Sequence, residues 1–182
     1  SRLAENNFIF KYINYVAFYN AYLVDKKLSL KDEICSSDPL IGLYGVFANN
    51  TANLCIKKNI LEKLNSFREE FYWPGSEDTD LSFRISCAGF KLLYMPLHVM
   101  HTKELDFLNF IKLYFKRGAN FYIFLKFNEE KLKNLNLALL EKYYSFSLLV
   151  ERLYYRRYKI LTFVHFISYK AGMIYMRYKY EK

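Results

Sequence analysis

The C-terminal part of the chain, from residue 105, does most to narrow the folds that the chain can adopt. From residue 105 onward, apolar residues recur at the spacing of α-helices, with lysines and arginines between them. Glycine and proline, which interrupt helices, number only six and three in 182 residues. The spacing predicts helices over residues 106–127, 132–158 and 160–178, and much of the chain's 20% aromatic content falls among them.

The charge of the chain points to an anionic partner. Its formal net charge is +9, most of it in the last third. Three interpretations of this basic, aromatic region stay open: a packed helical core with a solvated face, a membrane-surface helix over residues 153–177, and a single-strand nucleic-acid binder. No nucleic-acid-binding motif accompanies the region, so we expect no nucleic acid among the partners.

The chain shows neither a signal peptide nor an uncharged apolar run of the ~20 residues that a membrane span needs. Its three cysteines form no paired motif, which favours reduced thiols in a cytosolic compartment. We therefore expect a cytoplasmic protein. On the membrane-surface interpretation of residues 153–177, it would be peripheral on the cytoplasmic face of the membrane.

Residues 73–89 (WPGSEDTDLSFRISCAG) combine a tight turn, a row of carboxylates and a helix. Ser76 is a good N-cap residue type, and the carboxylates that follow it complement the helix dipole. Gly89 fits the position that ends a helix, and residues 90–95 then read as a strand before Pro96. Strands are also expected at residues 47–56 and 97–101. Carboxylates at a helix start are common capping groups, so this stretch alone does not establish a catalytic site.

Several motifs in order resemble a known family. They are TANLCIKKN (51–59), SFREEFYWPG (66–75), EDTDLSFRISCAGFKLLYMP (77–96) and HVMH (98–101). Together they resemble the acceptor half of family 2 glycosyltransferases of the GT-A fold, over about residues 45–120. The resemblance implies an α/β fold, the C-terminal part of a GT-A (nucleotide-diphospho-sugar transferase) domain, with a mixed sheet and C-terminal helices. Residues 1–104 would be the acceptor side of the catalytic domain, and residues 105–182 a helical, basic, aromatic region.

The implied activity is that of an inverting, hexosyltransferase-type enzyme of cell-surface polysaccharide biosynthesis. It would move a sugar from a nucleotide-sugar donor to a hydroxyl of a saccharide or lipid-linked acceptor. Asp78 would be the general base that takes the acceptor's proton, and Glu77 would orient the acceptor or tune the base. Trp73 would offer an apolar platform to a sugar face, and Gly75 would let the backbone pass close to the acceptor.

Two further residues match the family's site. His101 would contact a divalent cation, Mn²⁺ or Mg²⁺, or the departing diphosphate. Arg117 would lie near the diphosphate, whose charge grows as the bond breaks. The family's nucleotide-binding half, which ends in Asp-x-Asp and holds most metal ligands, has no counterpart here, so we expect the chain to be the second half of an enzyme.

Each of these residues also has a structural interpretation. Asp80 is expected to bond the local backbone, Trp73 could be part of a core, and Arg117 could be a solvated helix residue. The alternative function is accordingly a non-catalytic helical module that docks on an anionic membrane surface or on a partner protein.

Overall fold

The computed structural model describes residues 8, 9, 11, 12, 34–36, 54–94, 105–133 and 158–182. The helices among them are α1 (Lys58–Lys63), α2 (Glu77–Cys87), α3 (Phe107–Phe127), α4 (Glu129–Lys133) and α5 (Lys159–Glu181). The strands are β1 (Ile34–Ser36) and β2 (Leu92–Tyr94). They pair antiparallel, with Cys35 opposite Leu93.

The predicted α/β fold, with its mixed sheet and the Glu-Asp helix packed on it, is wrong. The described residues are mostly helical, and the only strands among them are these two, three residues each. Residues 54–56, the described end of the strand expected at 47–56, are not extended into a sheet. Residues 97–101 lie outside the described part. Residues 54–56 have no regular secondary structure, and a tertiary environment routinely overrides the weak strand preference of a short segment.

The chain forms two compact units. We call Ser1–Tyr12, Phe71–Gly75 and Glu104–Lys182 the helical unit, and Ile13–Glu70 and Ser76–Lys103 the α2 unit. The helical unit holds α3, α4 and α5, whereas the α2 unit holds α1, α2 and the strand pair. The predicted division after residue 104 stays a prediction.

Helices α3 and α5 pack against each other in parallel. The Tyr114 ring lies 3.5 Å from the His165 ring, centroid to centroid. Further along both helices, Ile123 and Met176 belong to one buried cluster. Because later residues of α3 meet later residues of α5, the two helices run in the same direction and their N-terminal ends lie at the same end of the helical unit.

Two glycines allow the backbones of these helices to touch. A Cβ atom placed on Gly118 would lie 1.9 Å from the carbonyl oxygen of Tyr169, and one placed on Gly172 would lie 1.9 Å from that of Phe115. Both glycines are buried. No larger residue fits at either position unless the helices move apart, so the crossing is determined at the backbone.

The segment Phe71–Gly75 is held against α3 by a buried amide. The Asn120 side chain is fully buried, and its Nδ2 donates to the carbonyl oxygen of Gly75 at 2.7 Å and to that of Trp73. The Trp73 side chain packs against the cluster of Ala119, Ile123 and Met176. One buried amide thus donates to two carbonyls of the same loop and fixes the loop against α3.

Helix α2 ends as the sequence predicts. Gly89 has a φ of +78°. Its N–H donates to Ser86 O at 2.9 Å, and the Phe90 N–H donates to Ile85 O at 3.2 Å. This is the hydrogen-bond pattern of a Schellman motif, which needs a left-handed residue just past the helix.

Asp80 anchors α2 to the chain before it. Its carboxylate is fully buried and accepts from Arg84 Nε at 2.7 Å and from Arg68 Nε at 3.2 Å. The same Arg84 guanidinium donates to the carbonyl oxygens of Leu64 and Ser66. Asp80 therefore has a structural role, as expected. The partners that its carboxylate binds are arginine side chains, whereas the expectation was the local backbone. The paired charges offset part of the desolvation cost of burying them.

We predict that Gly118→Ala and Gly172→Ala each destabilise the protein by about 1–3 kcal/mol, because the new methyl group forces the α3 and α5 backbones apart. On a solvent-exposed face of a helix, glycine to alanine would stabilise the protein by about 1 kcal/mol. The sign of the effect therefore shows whether the two backbones are in contact. Urea unfolding followed by circular dichroism measures it. The matched control is Ala171→Gly at an exposed site, with an expected loss of about 1 kcal/mol from helix propensity alone. Stabilisation by either alanine would contradict the backbone contact.

We also predict that Asp80→Ala costs about 3–5 kcal/mol, because it leaves the Arg84 guanidinium buried without its carboxylate. The control is Glu62→Ala, which breaks the exposed Lys58–Glu62 pair and should cost less than about 1 kcal/mol. Thermal or urea unfolding of both variants gives the comparison, and equal losses would mean that the buried pair contributes no more than a surface pair.

Candidate functional site

The two predicted catalytic carboxylates begin helix α2. Glu77 and Asp78 are half-buried in its first turn, and Asp78 Oδ1 accepts from the Thr79 N–H at 2.9 Å. Ser76 occupies the N-cap position as predicted, but its backbone is left-handed, with φ +74°, and its side chain makes no capping bond. The carboxylates therefore supply the negative charge that the helix N-terminus favours. Their roles in catalysis stay predictions.

Three other predicted site residues are brought together in the helical unit. A Cβ atom on Gly75 would lie 2.9 Å from Arg117 Cγ, so the loop backbone passes directly over this arginine. The Arg117 side chain is exposed, and its guanidinium carbon lies 5.4 Å from the centre of the Tyr114 ring. Trp73 is half-buried against the α3–α5 core. The close approach of Arg117 accounts for a glycine at position 75. A role for Trp73, Gly75 or Arg117 in sugar binding stays a prediction.

The predicted metal site is not brought together by the described residues. His101 lies outside them, and within them no group of three histidine, cysteine, aspartate or glutamate side chains is placed to hold an ion. The expectation of a divalent cation stays a prediction.

Helix α5 carries an exposed apolar stripe along its length. The stripe residues lie at positions i, i+3, i+7, i+14 and i+18, which share one side of a helix. Ile160 is 78% exposed and Ile174 is 67% exposed. The full set, called the α5 stripe below, is Ile160, Phe163, Ile167, Ile174 and Tyr178. The opposite side of α5 packs on α3 through Gly172 and Met176.

A row of basic residues flanks the α5 stripe. Lys159, Lys170 and Arg177 lie at i, i+11 and i+18, so they share one side of the helix next to the stripe. Helix α3 has four basic residues and no acidic one, and α5 has four basic residues and one acidic residue, Glu181. Residues 105–182 hold fifteen basic and six acidic residues, a net +9 equal to that of the whole chain. The positive field is therefore centred on the unit that carries the stripe.

The C-terminal end of α5 is rich in tyrosines with basic partners. Lys179 Nζ lies 4.6 Å from the centre of the Tyr72 ring, and Lys182 Nζ lies 4.2 Å from that of Tyr178. Glu181 pairs with Arg177 Nε at 3.0 Å. Burial raises the pKa of Tyr122, and the nearby Glu181 carboxylate acts in the same direction. Tyrosine and lysine side chains have an apolar body and a polar end that stays hydrated, so they suit a boundary between water and an apolar phase.

The sequence pattern predicted a basic, aromatic helix where α5 lies. It did not predict the exposed stripe of α5 or the buried Asn120. The i, i+3, i+7 spacing of the stripe is visible in the sequence, yet so is an apolar set on the opposite side. Only the position of α3 shows which set is buried. Asn120 stands out as an amide within an otherwise apolar run, and this is the signal that could have marked it.

Among the residues that the structure describes, no helix is both long enough and apolar enough to cross a membrane. No protein-family model, no curated protein and no solved structure matches the chain.

Proposed function

We propose that the helical unit is a non-catalytic docking module that binds the surface of an anionic membrane through α5. The observation that carries this proposal is the α5 stripe with its flanking basic row. An exposed apolar stripe beside lysines and arginines is typical of helices that lie in the membrane interface. The stripe is continuous with the most positively charged part of the chain, which complements acidic headgroups.

The expected binding energy combines two modest terms. Each large apolar side chain that leaves water contributes about 1.5–3 kcal/mol when it is fully buried, and less at the depth of the headgroups. Each lysine or arginine close to an anionic surface adds about 1 kcal/mol. The stripe and the basic row together are sufficient for reversible, salt-sensitive binding, and the proposal does not require a membrane span.

The test is co-sedimentation of the protein with vesicles of phosphatidylserine and phosphatidylcholine. We expect binding at low salt, weaker binding as salt screens the charges, and little binding to phosphatidylcholine alone. Phe163→Ser and Ile174→Ser should each weaken binding about tenfold, because each removes one apolar side chain from the interface. Ala171→Ser, also exposed on α5, is the matched control and should leave binding nearly unchanged.

Two results would overturn the proposal. One is failure of the unsubstituted protein to sediment with anionic vesicles at low salt. The other is a concentration-dependent dimer in sedimentation velocity without vesicles that Phe163→Ser abolishes, because the stripe would then be the contact between two copies of the chain.

Glycosyl transfer is the second candidate function. The observation that favours it is the placement of Glu77 and Asp78 side by side, half-buried, in the first turn of α2. Carboxylates at such a turn can accept a proton from a bound hydroxyl. The sheet that this activity was expected to rest on is not found among the described residues, so the docking function has the stronger support.

For a preparation that transfers sugar from a nucleotide-sugar, we predict that Asp78→Asn lowers transfer about 10²–10⁴-fold, the usual contribution of a general base, while the circular dichroism spectrum is retained. Glu69→Gln, exposed in the same unit, is the control and should leave transfer unchanged. Release of labelled nucleotide over a panel of donors with Mn²⁺ measures the rates. Near-normal turnover of Asp78→Asn would show that Asp78 is not the base.

A further inference from the structure

The two ends of the α3–α5 pair expose different kinds of side chain. At the N-terminal end, the large hydrophobic side chains that are exposed among the described residues are all hydrocarbon, and the polar side chains of Asp106, Asn109 and Lys159 are exposed beside them. Leu108 is 67% exposed at the start of α3, and Ile160 is 78% exposed at the start of α5. The Phe8 ring lies 5.1 Å from that of Tyr158, which directly precedes α5. The exposed apolar residues of this end, called the apolar end below, are Phe8, Phe107, Leu108, Ile160 and Phe163.

At the other end three of the four exposed large hydrophobic side chains described are tyrosines, and the fourth is Ile174. Tyr175 and Tyr178 are exposed near the C-terminus of α5, and so is Tyr72 in the segment that packs against the same helix pair. The ammonium groups of Lys179 and Lys182 lie over two of these rings. Tyrosine and lysine remain at the level of the headgroups, whereas phenylalanine, leucine and isoleucine gain by entering the acyl chains.

From this difference we infer that the helical unit binds the bilayer tilted, with the apolar end of the α3–α5 pair inserted below the headgroups and the tyrosine-rich end held among them. The inference rests on the proposed function, since it states how the same surface meets the lipid. The parallel packing of the two helices makes the tilt possible, because both helices have their N-terminal ends at the same end of the pair. An antiparallel pair would place Leu108 and Ile160 at opposite ends.

Among the described residues of this end, an acidic one opposes the insertion. Asp106 is exposed at the N-cap of α3, and its carboxylate accepts from the backbone N–H of Asn109 at 2.8 Å and from its Nδ2 at 2.7 Å. A negative charge beside the apolar end is repelled by acidic lipids. Asparagine caps a helix as well as aspartate does, so Asp106→Asn removes the charge and keeps the bond from the Asn109 backbone N–H, while the bond from Asn109 Nδ2 is lost.

The depth of each end is measured with single tryptophans. In a Trp73→Phe background, Ile160→Trp and Tyr178→Trp each place one fluorophore at one end of α5. Vesicles of phosphatidylserine and phosphatidylcholine carry bromine either near the headgroup or near the chain terminus. We expect the tryptophan at position 160 to be quenched more by the deep bromine and the one at 178 more by the shallow bromine. Equal or reversed depths overturn the tilt.

A second measurement does not depend on replacing Trp73. In the unsubstituted background, Asp106→Asn should strengthen binding to the same vesicles about fivefold, and Leu108→Ser should weaken it about tenfold. Glu62→Gln, in the α2 unit, removes an exposed acid elsewhere and should change binding less than twofold. Equal gains from Asp106→Asn and Glu62→Gln, or no loss with Leu108→Ser, also overturn the inference.

The outcomes separate this inference from the proposed function. If the unsubstituted protein fails to sediment with anionic vesicles, the docking function itself is wrong and the tilt falls with it. If the protein sediments but both tryptophans lie at one depth, docking stands and only the tilt is wrong.

Discussion

The contact of backbone with backbone at Gly118 and Gly172 is the constraint on which the helical unit depends. A Cβ atom at either position would lie 1.9 Å from a carbonyl oxygen of the other helix, which no side chain can relieve by changing rotamer. The crossing point therefore determines the register of α3 against α5. That register places Met176 of α5 in one buried cluster with Ile123 of α3, and it leaves the α5 stripe on the outside.

The α2 unit is held by a different kind of interaction. Its centre is a fully buried carboxylate, Asp80, shared by Arg84 and Arg68, and Arg84 continues the network to two backbone carbonyls. Such a network is costly to desolvate and is stable only when its members are satisfied. These contacts account for the presence of Asp80, two residues after the proposed base Asp78, without a catalytic role. A row of carboxylates at a helix start can contain one structural anchor beside others that remain half-exposed.

The docking proposal and the tilted insertion both follow from what the α3–α5 crossing leaves exposed. Large apolar side chains on a protein surface are common singly, but a row along one helix beside a basic row is a feature of interaction surfaces. Parallel packing adds a direction to that surface, because one end of the pair gathers hydrocarbon side chains and the other gathers tyrosines and lysines. The same crossing thus determines the stability of the unit and the polarity of its surface.

Local features of this chain were determined by the sequence itself. The helical spacing after residue 105 predicted α3 and α5, Gly89 predicted the end of α2, and the excess of lysine and arginine predicted a basic helical region. Each depends on neighbours within one or two turns, so a linear pattern suffices. The fold class could not be read in this way, because a short segment such as residues 47–56 has only a weak strand preference of its own, and its described end, residues 54–56, forms no strand. Only the tertiary structure decided that Asp80 binds arginines, that Asn120 holds the loop of Trp73, and that Gly118 meets α5. Apart from the Asp80–Arg84 pair, which lies within one turn of α2, these contacts join residues distant in the chain. The choice of which apolar side of α5 is buried depends on where α3 lies.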